Sequence, residues 1–148
     1  MRGRRSILHC QDQRQQTIDQ RPKTRMRNYK NIKAFQLADD LVMEIYKVTK
    51  HFPKEELYGL TSQLRRAGVS IPTNIAEGAS RKHKKDYMHF LYIARASLAE
   101  VEYLLHLSDR LNYLGKESFL IIEGKREETA KTLFGLINAV EKEINAGQ

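Results

Sequence analysis

Arg81, Lys82, His83, Lys84 and Lys85 put four permanent cations and an imidazole into one short stretch of the chain. Such a density suits phosphate binding, because each ammonium or guanidinium neutralises a backbone oxygen and releases a condensed counterion. The run stands where a helix is expected to begin, and a cation there opposes the helix macrodipole at a cost of about 0.3–1 kcal/mol. Helix stability therefore does not account for it. Arg65 and Arg66 lie upstream on an amphipathic segment, and Tyr87 and Tyr92 follow the run. Phosphate contacts from the cations with base stacking on exposed rings would make an RNA- or DNA-binding edge. The plainer reading is a solvated turn balanced locally by Asp86 and Glu77.

Catalytic chemistry has less to draw on. His9, His51, His83, His89 and His106 never stand three or four residues apart, so no helix face offers a metal two imidazoles. No glycine-rich phosphate loop or nucleophile elbow occurs, and Asp39, Asp40, Glu127 and Glu128 sit among polar neighbours as on a solvated face. Cys10 has no second thiol to pair with and no ligand spacing around it. The expectation is a protein with no catalytic site, metal or cofactor. Asn74 and Glu77, three residues apart beside an apolar stripe, read as structural residues that satisfy backbone groups released by Pro72 or fix a subunit contact. Tyr103 and Phe134 are expected at an interface.

Four amphipathic helices would carry these residues. Ala34, Ala38, Leu41, Ile45, Val48 and Phe52 recur at alternating spacings of four and three, predicting a first helix over 31–52 that Pro53 closes. Gly59 permits a turn, and Thr61 or Ser62 is expected to cap the second helix, whose stripe is Leu60, Leu64, Ala67, Ile71 and Ile75. Pro72 removes a hydrogen bond there and meets the carbonyl of Gly68, a residue that frees the backbone to bend. The expectation is a kinked helix ending near Gly78; the alternative is a stop near Val69 and a fresh helix capped by Ser70. A third helix is predicted over 84–114, slimmed by Ala94, Ala96, Ser97 and Ala99 and capped by Gly115. A fourth covers 116–145, weakened at Gly124 and Gly135 by about 1 kcal/mol each relative to alanine.

With no alternating strand pattern, the economical architecture is all-α: an antiparallel up-down-up-down four-helix bundle over 30–148. The same seams could also pair between chains. Residues 1–29 lack any sustained apolar period and are expected to form a disordered basic tail. A second hypothesis starts the protein at Met26, the upstream residues being an artefact of start-site assignment, which the intact mass of the native protein would test. The tail also changes how the total charge of +8 is read. Residues 1–30 hold nine Lys/Arg against two Asp/Glu, and residues 31–148 hold seventeen against sixteen, so the folded part is nearly neutral. No stretch has the length of a membrane span or a signal-peptide core, which points to the cytoplasm.

Leu60-Thr61-Ser62-Gln63-Leu64-Arg65-Arg66-Ala67, then Ser70-Ile71-Pro72-Thr73-Asn74-Ile75-Ala76-Glu77-Gly78, resembles the four-helix-bundle family of 23S rRNA intervening-sequence proteins. The likeness continues through Lys84-Lys85-Asp86-Tyr87 and the segment Phe90 to Glu102, and spans about residues 28–139. His83 departs from it, standing where a capping Ser or Thr is expected. The resemblance implies a homo-oligomer, specifically a pentamer, without known catalytic activity. It extends to the accessory variability proteins of diversity-generating retroelements, whose basic surfaces engage nucleic acid and a reverse transcriptase, a nucleic-acid-processing partner. The matching basic positions are Arg65, Arg66, Arg81, Lys82, Lys84 and Lys85. A non-enzymatic scaffold that binds RNA or a ribonucleoprotein through this edge is thus the expected function. The alternative is a protein–protein interaction module whose cations meet acidic protein surfaces.

Overall fold

Among the described residues the three-four spacing of apolar residues produces four helices: α1 (Lys33–Thr49), α2 (Leu60–Ala79), α3 (Lys84–Arg110) and α4 (Lys116–Ala146). The computed structural model describes residues 27–148, and no strand occurs among them. Single 3-10 turns at Tyr29–Asn31 and Lys54–Glu56 complete the regular structure. The tail expected over 1–29, the start at Met26, and the readings of His9 and Cys10 rest on residues that lie mostly or wholly outside this range. At its edge, Arg27 lies over the Tyr87 ring at 4.9 Å and Tyr29 meets Phe35 edge-on at 4.8 Å, so these residues touch the bundle.

The predicted stripes form the core. Leu41, Ile45, Leu64, Ile71, Ile75, Leu91, Val101 and Leu105 are completely buried. Each helix packs on its neighbour in sequence, and α1 packs on α4 to close a ring around this core. Facing residues step in opposite directions along adjacent helices. Arg65 reaches Thr49 while Gly68 faces Ile45, and Ser70 meets Ser97 while Gly78 faces Tyr87.

The helix ends differ from expectation. Neither Thr61 nor Ser62 caps α2; Gly59 is the N-cap residue, and the Glu56 carboxylate accepts from the Leu60 N–H at 2.9 Å. A β-carbon on Gly59 would stand 2.8 Å from that carboxylate, so the bare glycine leaves it room. α2 runs unbroken through Pro72, which overturns the stop at Val69 and the cap at Ser70. α3 ends at Arg110, and Asn112 rather than Gly115 adopts the left-handed backbone, with φ of 59°. Tyr113 N–H donates to Ser108 O and Asn112 N–H to Asp109 O, both at 2.9 Å, the paired bonds of a Schellman ending. Gly115 instead begins α4 with an extended backbone. α1 stops at Thr49, short of Phe52, although Phe52 is buried in the following loop against Tyr113.

Candidate nucleic-acid interface

The basic run forms the link from α2 to α3. Gly78 brings the helices together there: an added β-carbon would lie 2.8 Å from both Phe90 Cβ and Tyr87 Cδ2. Residues 81–86 are all exposed. Arg81 is paired with Glu77 at 2.9 Å and its guanidinium lies 4.7 Å over Phe90, while Lys84 reaches Glu143 at 3.2 Å. Exposed pairs of this kind are worth only about 0–1 kcal/mol, so a phosphate can compete for either cation. Lys82 and Lys85 form no ion pair among the described residues. His83 occupies the N-cap of α3 without a side-chain capping bond, and Asp86 is the one acid in the first turn.

The tyrosines divide. Tyr87 is buried at 2% exposure, so it offers no platform for a base, and burial pushes its hydroxyl pKa upward despite the nearby Arg27 charge. Tyr92 is 41% exposed, with Arg95 over its ring at 4.9 Å.

Arg65 and Arg66 do not join this patch. The stretch of α2 from Arg65 to Ala79 is about 21 Å long at 1.5 Å per residue, which puts them toward the opposite end of the bundle. Arg65 lies across α1, donating to Thr49 Oγ1 at 2.9 Å and stacking 4.6 Å over Tyr46. Both arginines line an outer groove of about 710 Å³ between α1 and α2, whose walls include Tyr46, Leu57, Tyr58 and Val69 and no carboxylate. The single basic edge expected from sequence is therefore two sites of different character.

Asn74 donates to Ser70 O at 2.7 Å and to Ser70 Oγ at 3.0 Å, and Ser70 Oγ meets Ser97 Oγ at 2.8 Å. The carbonyl that Pro72 leaves without its usual donor is that of Gly68, so Asn74 serves a different group and Glu77 serves Arg81. Gly68 has a packing reason of its own: a β-carbon there would stand 2.7 Å from Ile45 Cδ1.

With the geometry of the link and groove defined, relatives become informative. Residues 30–135 match the family described as 23S rRNA-intervening sequence protein. The chain belongs to this family. The match covers both basic sites and stops before Glu143, the partner of Lys84, so that pair lies partly outside it. A solved structure from Bacteroides thetaiotaomicron, of unknown function and from the S23 ribosomal protein family, is 26% identical. The likeness covers 71% of this chain and 95% of that one, with a TM-score of 0.66. No curated protein matches.

One cluster in this 23S rRNA-intervening sequence family member went unread in the sequence. Arg126 occupies a stripe position of α4 between Ile122 and Thr129, and is 8% exposed. Its Nε donates to Glu123 at 2.8 Å, Nη1 lies 3.5 Å from Glu102 of α3, and Nη2 lies 3.9 Å from Glu127. The Glu123 hydrogen bond raises its pKa further, against the opposing effect of burial. The available signal was a charged residue at four-three spacing inside an otherwise apolar or small-residue stripe. Beside it, Ala99, Tyr103, His106 and Phe119 join Glu102 and Glu123 around a pocket of about 390 Å³. Among the described residues no cluster of His, Cys, Asp or Glu is suited to a metal ion, and no helix is long and apolar enough to cross a membrane.

Proposed function

We propose that this family member is a non-enzymatic, homo-oligomeric helical scaffold of the cytoplasm that holds RNA or a ribonucleoprotein by phosphate contacts from the α2–α3 link. The observation that carries the reading is the exposed pair Lys82 and Lys85 at the entry to α3, flanked by Arg81 and Lys84 in exchangeable surface pairs. No capping role explains these cations, and the macrodipole opposes them. The family's name, which refers to an rRNA sequence, agrees in chemical class. Self-assembly is supported by exposed apolar side chains at the outer groove, where Leu57 is 50% and Tyr58 95% exposed.

The test is RNA and DNA binding across a salt series, for the full chain, a chain begun at Met26, and Lys82→Ala/Lys85→Ala in each. Each lost phosphate contact should lower the slope of log affinity against log salt by about one. An unchanged slope in the chain begun at Met26 rejects the link as a phosphate site. A second reading draws on Glu77 and Glu143, which already occupy Arg81 and Lys84: the same cations would then meet carboxylates of an acidic protein. Affinity that follows one protein partner and ignores polynucleotide length is its expected signature.

A further inference from the structure

Arg65 is built into the wall of the α1–α2 groove rather than left to solvent. Its Nε donates to Thr49 Oγ1 at 2.9 Å, and the guanidinium lies 4.6 Å over the Tyr46 ring. Tyr46 and Thr49 are three residues apart on α1 and so share a face. Thr49 is buried and gives its own proton to Ile45 O at 2.7 Å, which leaves a lone pair for Arg65. A buried hydroxyl and a ring face therefore fix the plane and direction of one half-buried guanidinium.

Holding Nε leaves the terminal nitrogens, Nη1 and Nη2, and neither has a protein acceptor among the described residues. Arg126, also held in place, is met by Glu102, Glu123 and Glu127, whereas the walls of the groove at Arg65 hold no carboxylate. A plain tether between α1 and α2 accounts for the Nε bond alone. The open fork of Nη1 and Nη2 is the geometry that takes the two oxygens of a carboxylate side by side.

The rest of the groove indicates what such an anion carries. Tyr46 and Val69, both exposed, give apolar wall beside Arg65, and about 710 Å³ is the size of a small-molecule site. Neighbouring polar groups are already engaged: Thr73 Oγ1 donates to Val69 O at 2.7 Å, Asn74 donates to Ser70 O, and Ser70 Oγ meets Ser97 Oγ. Donors for an anion thus come mainly from arginine, with Arg66 adding an exposed second charge at the margin. That supply suits two oxygens sharing one negative charge better than a phosphate monoester, whose three oxygens and higher charge call for more donors.

We propose that the Arg65 end of the groove binds a small aromatic monocarboxylate, its oxygens on Nη1 and Nη2 and its ring on the wall beside Val69 and Tyr46. The site lies about two turns along α2 from Tyr58, whose exposure supports self-assembly, and it is independent of the phosphate contacts at the α2–α3 link. A free acid is favoured over an acidic side chain because the single fixed fork stands beside apolar surface that a bare carboxylate would leave uncovered.

The experiment is titration calorimetry of the full chain with benzoate, set against phenyl phosphate, benzamide and acetate, with circular dichroism on each variant. Benzoate should bind saturably and more tightly than the other three. Arg65→Lys keeps the charge but not the fork, and should weaken benzoate binding by at least about tenfold. Thr49→Val releases the guanidinium without altering the fork and should weaken binding less; if one variant does not fold, the other decides. The inference fails if benzoate does not saturate, or if the variants bind it as tightly as the unaltered chain. Acetate binding equally well would overturn it in favour of acidic side chains, and benzamide binding equally well would leave an apolar surface without an anion receptor. A preference for phenyl phosphate would overturn the carboxylate and make the groove a phosphate site.

Discussion

Arg126 shows a charged side chain standing in for an apolar one at a core position, made tolerable because its charge is met where it emerges. Its stem packs among α4 neighbours while Glu123 and Glu102 take the guanidinium. Those carboxylates are partly exposed, so the network is worth less than a fully buried one. Arg126→Ala should destabilise the fold by about 1–3 kcal/mol, with Arg126→Met losing less because it keeps the stem; urea unfolding distinguishes them. Tyr87 gives a prediction in pH. Burial raises its folded-state pKa above the ordinary 10.0, so its contribution is fully present below pH 10 and is lost as pH rises through the folded value. Tyr87→Phe should therefore flatten the alkaline fall of unfolding free energy. Part of the fall should persist, because Tyr113 is raised too, by burial and by Glu56.

Glycines within the helices separate packing from propensity. Gly78 admits α3 so closely that a β-carbon would meet Phe90, Tyr87 and the Tyr87 carbonyl, the last at 3.2 Å, and backbone cannot yield as a side-chain tip can. Gly78→Ala should cost about 1–3 kcal/mol. Gly68→Ala presses only on the end of Ile45, so its cost should be smaller, offset in part by helix propensity. Gly124 and Gly135 have nothing within 4 Å of an added β-carbon, and alanine at either should stabilise α4 by up to about 1 kcal/mol in thermal unfolding. Sequence alone assigns all four the same helical penalty. Contacts with a neighbouring helix decide which of them are needed.

Across the bundle the six candidate cations fall into two groups, Arg65 and Arg66 toward one end and Arg81, Lys82, Lys84 and Lys85 at the other, and the proposed roles should separate accordingly. Lys82→Ala/Lys85→Ala should lower the salt dependence of polynucleotide binding and leave benzoate binding unchanged. Arg65→Lys should weaken benzoate binding and leave the salt slope unchanged, as calorimetry and polynucleotide binding on the same samples would read. The four helices were legible from sequence because burial follows the three-four spacing of Ala34 to Val48, Leu60 to Ile75, and Tyr87 to Ser108 almost position by position. Their ends were less legible, since Glu56 caps α2 from the preceding turn and Asn112 takes the left-handed position at which glycine was expected. The basic run was recognisable as a cluster because its members are consecutive. Arg65 and Arg66 seemed to belong with it, since sequence distance says nothing of the rigid span of α2 between them. Local periodicity thus determined which faces are buried, whereas only the packing of helices decided which distant charges share a surface, because it is packing that sets Lys84 beside Glu143 and Arg126 beside Glu102.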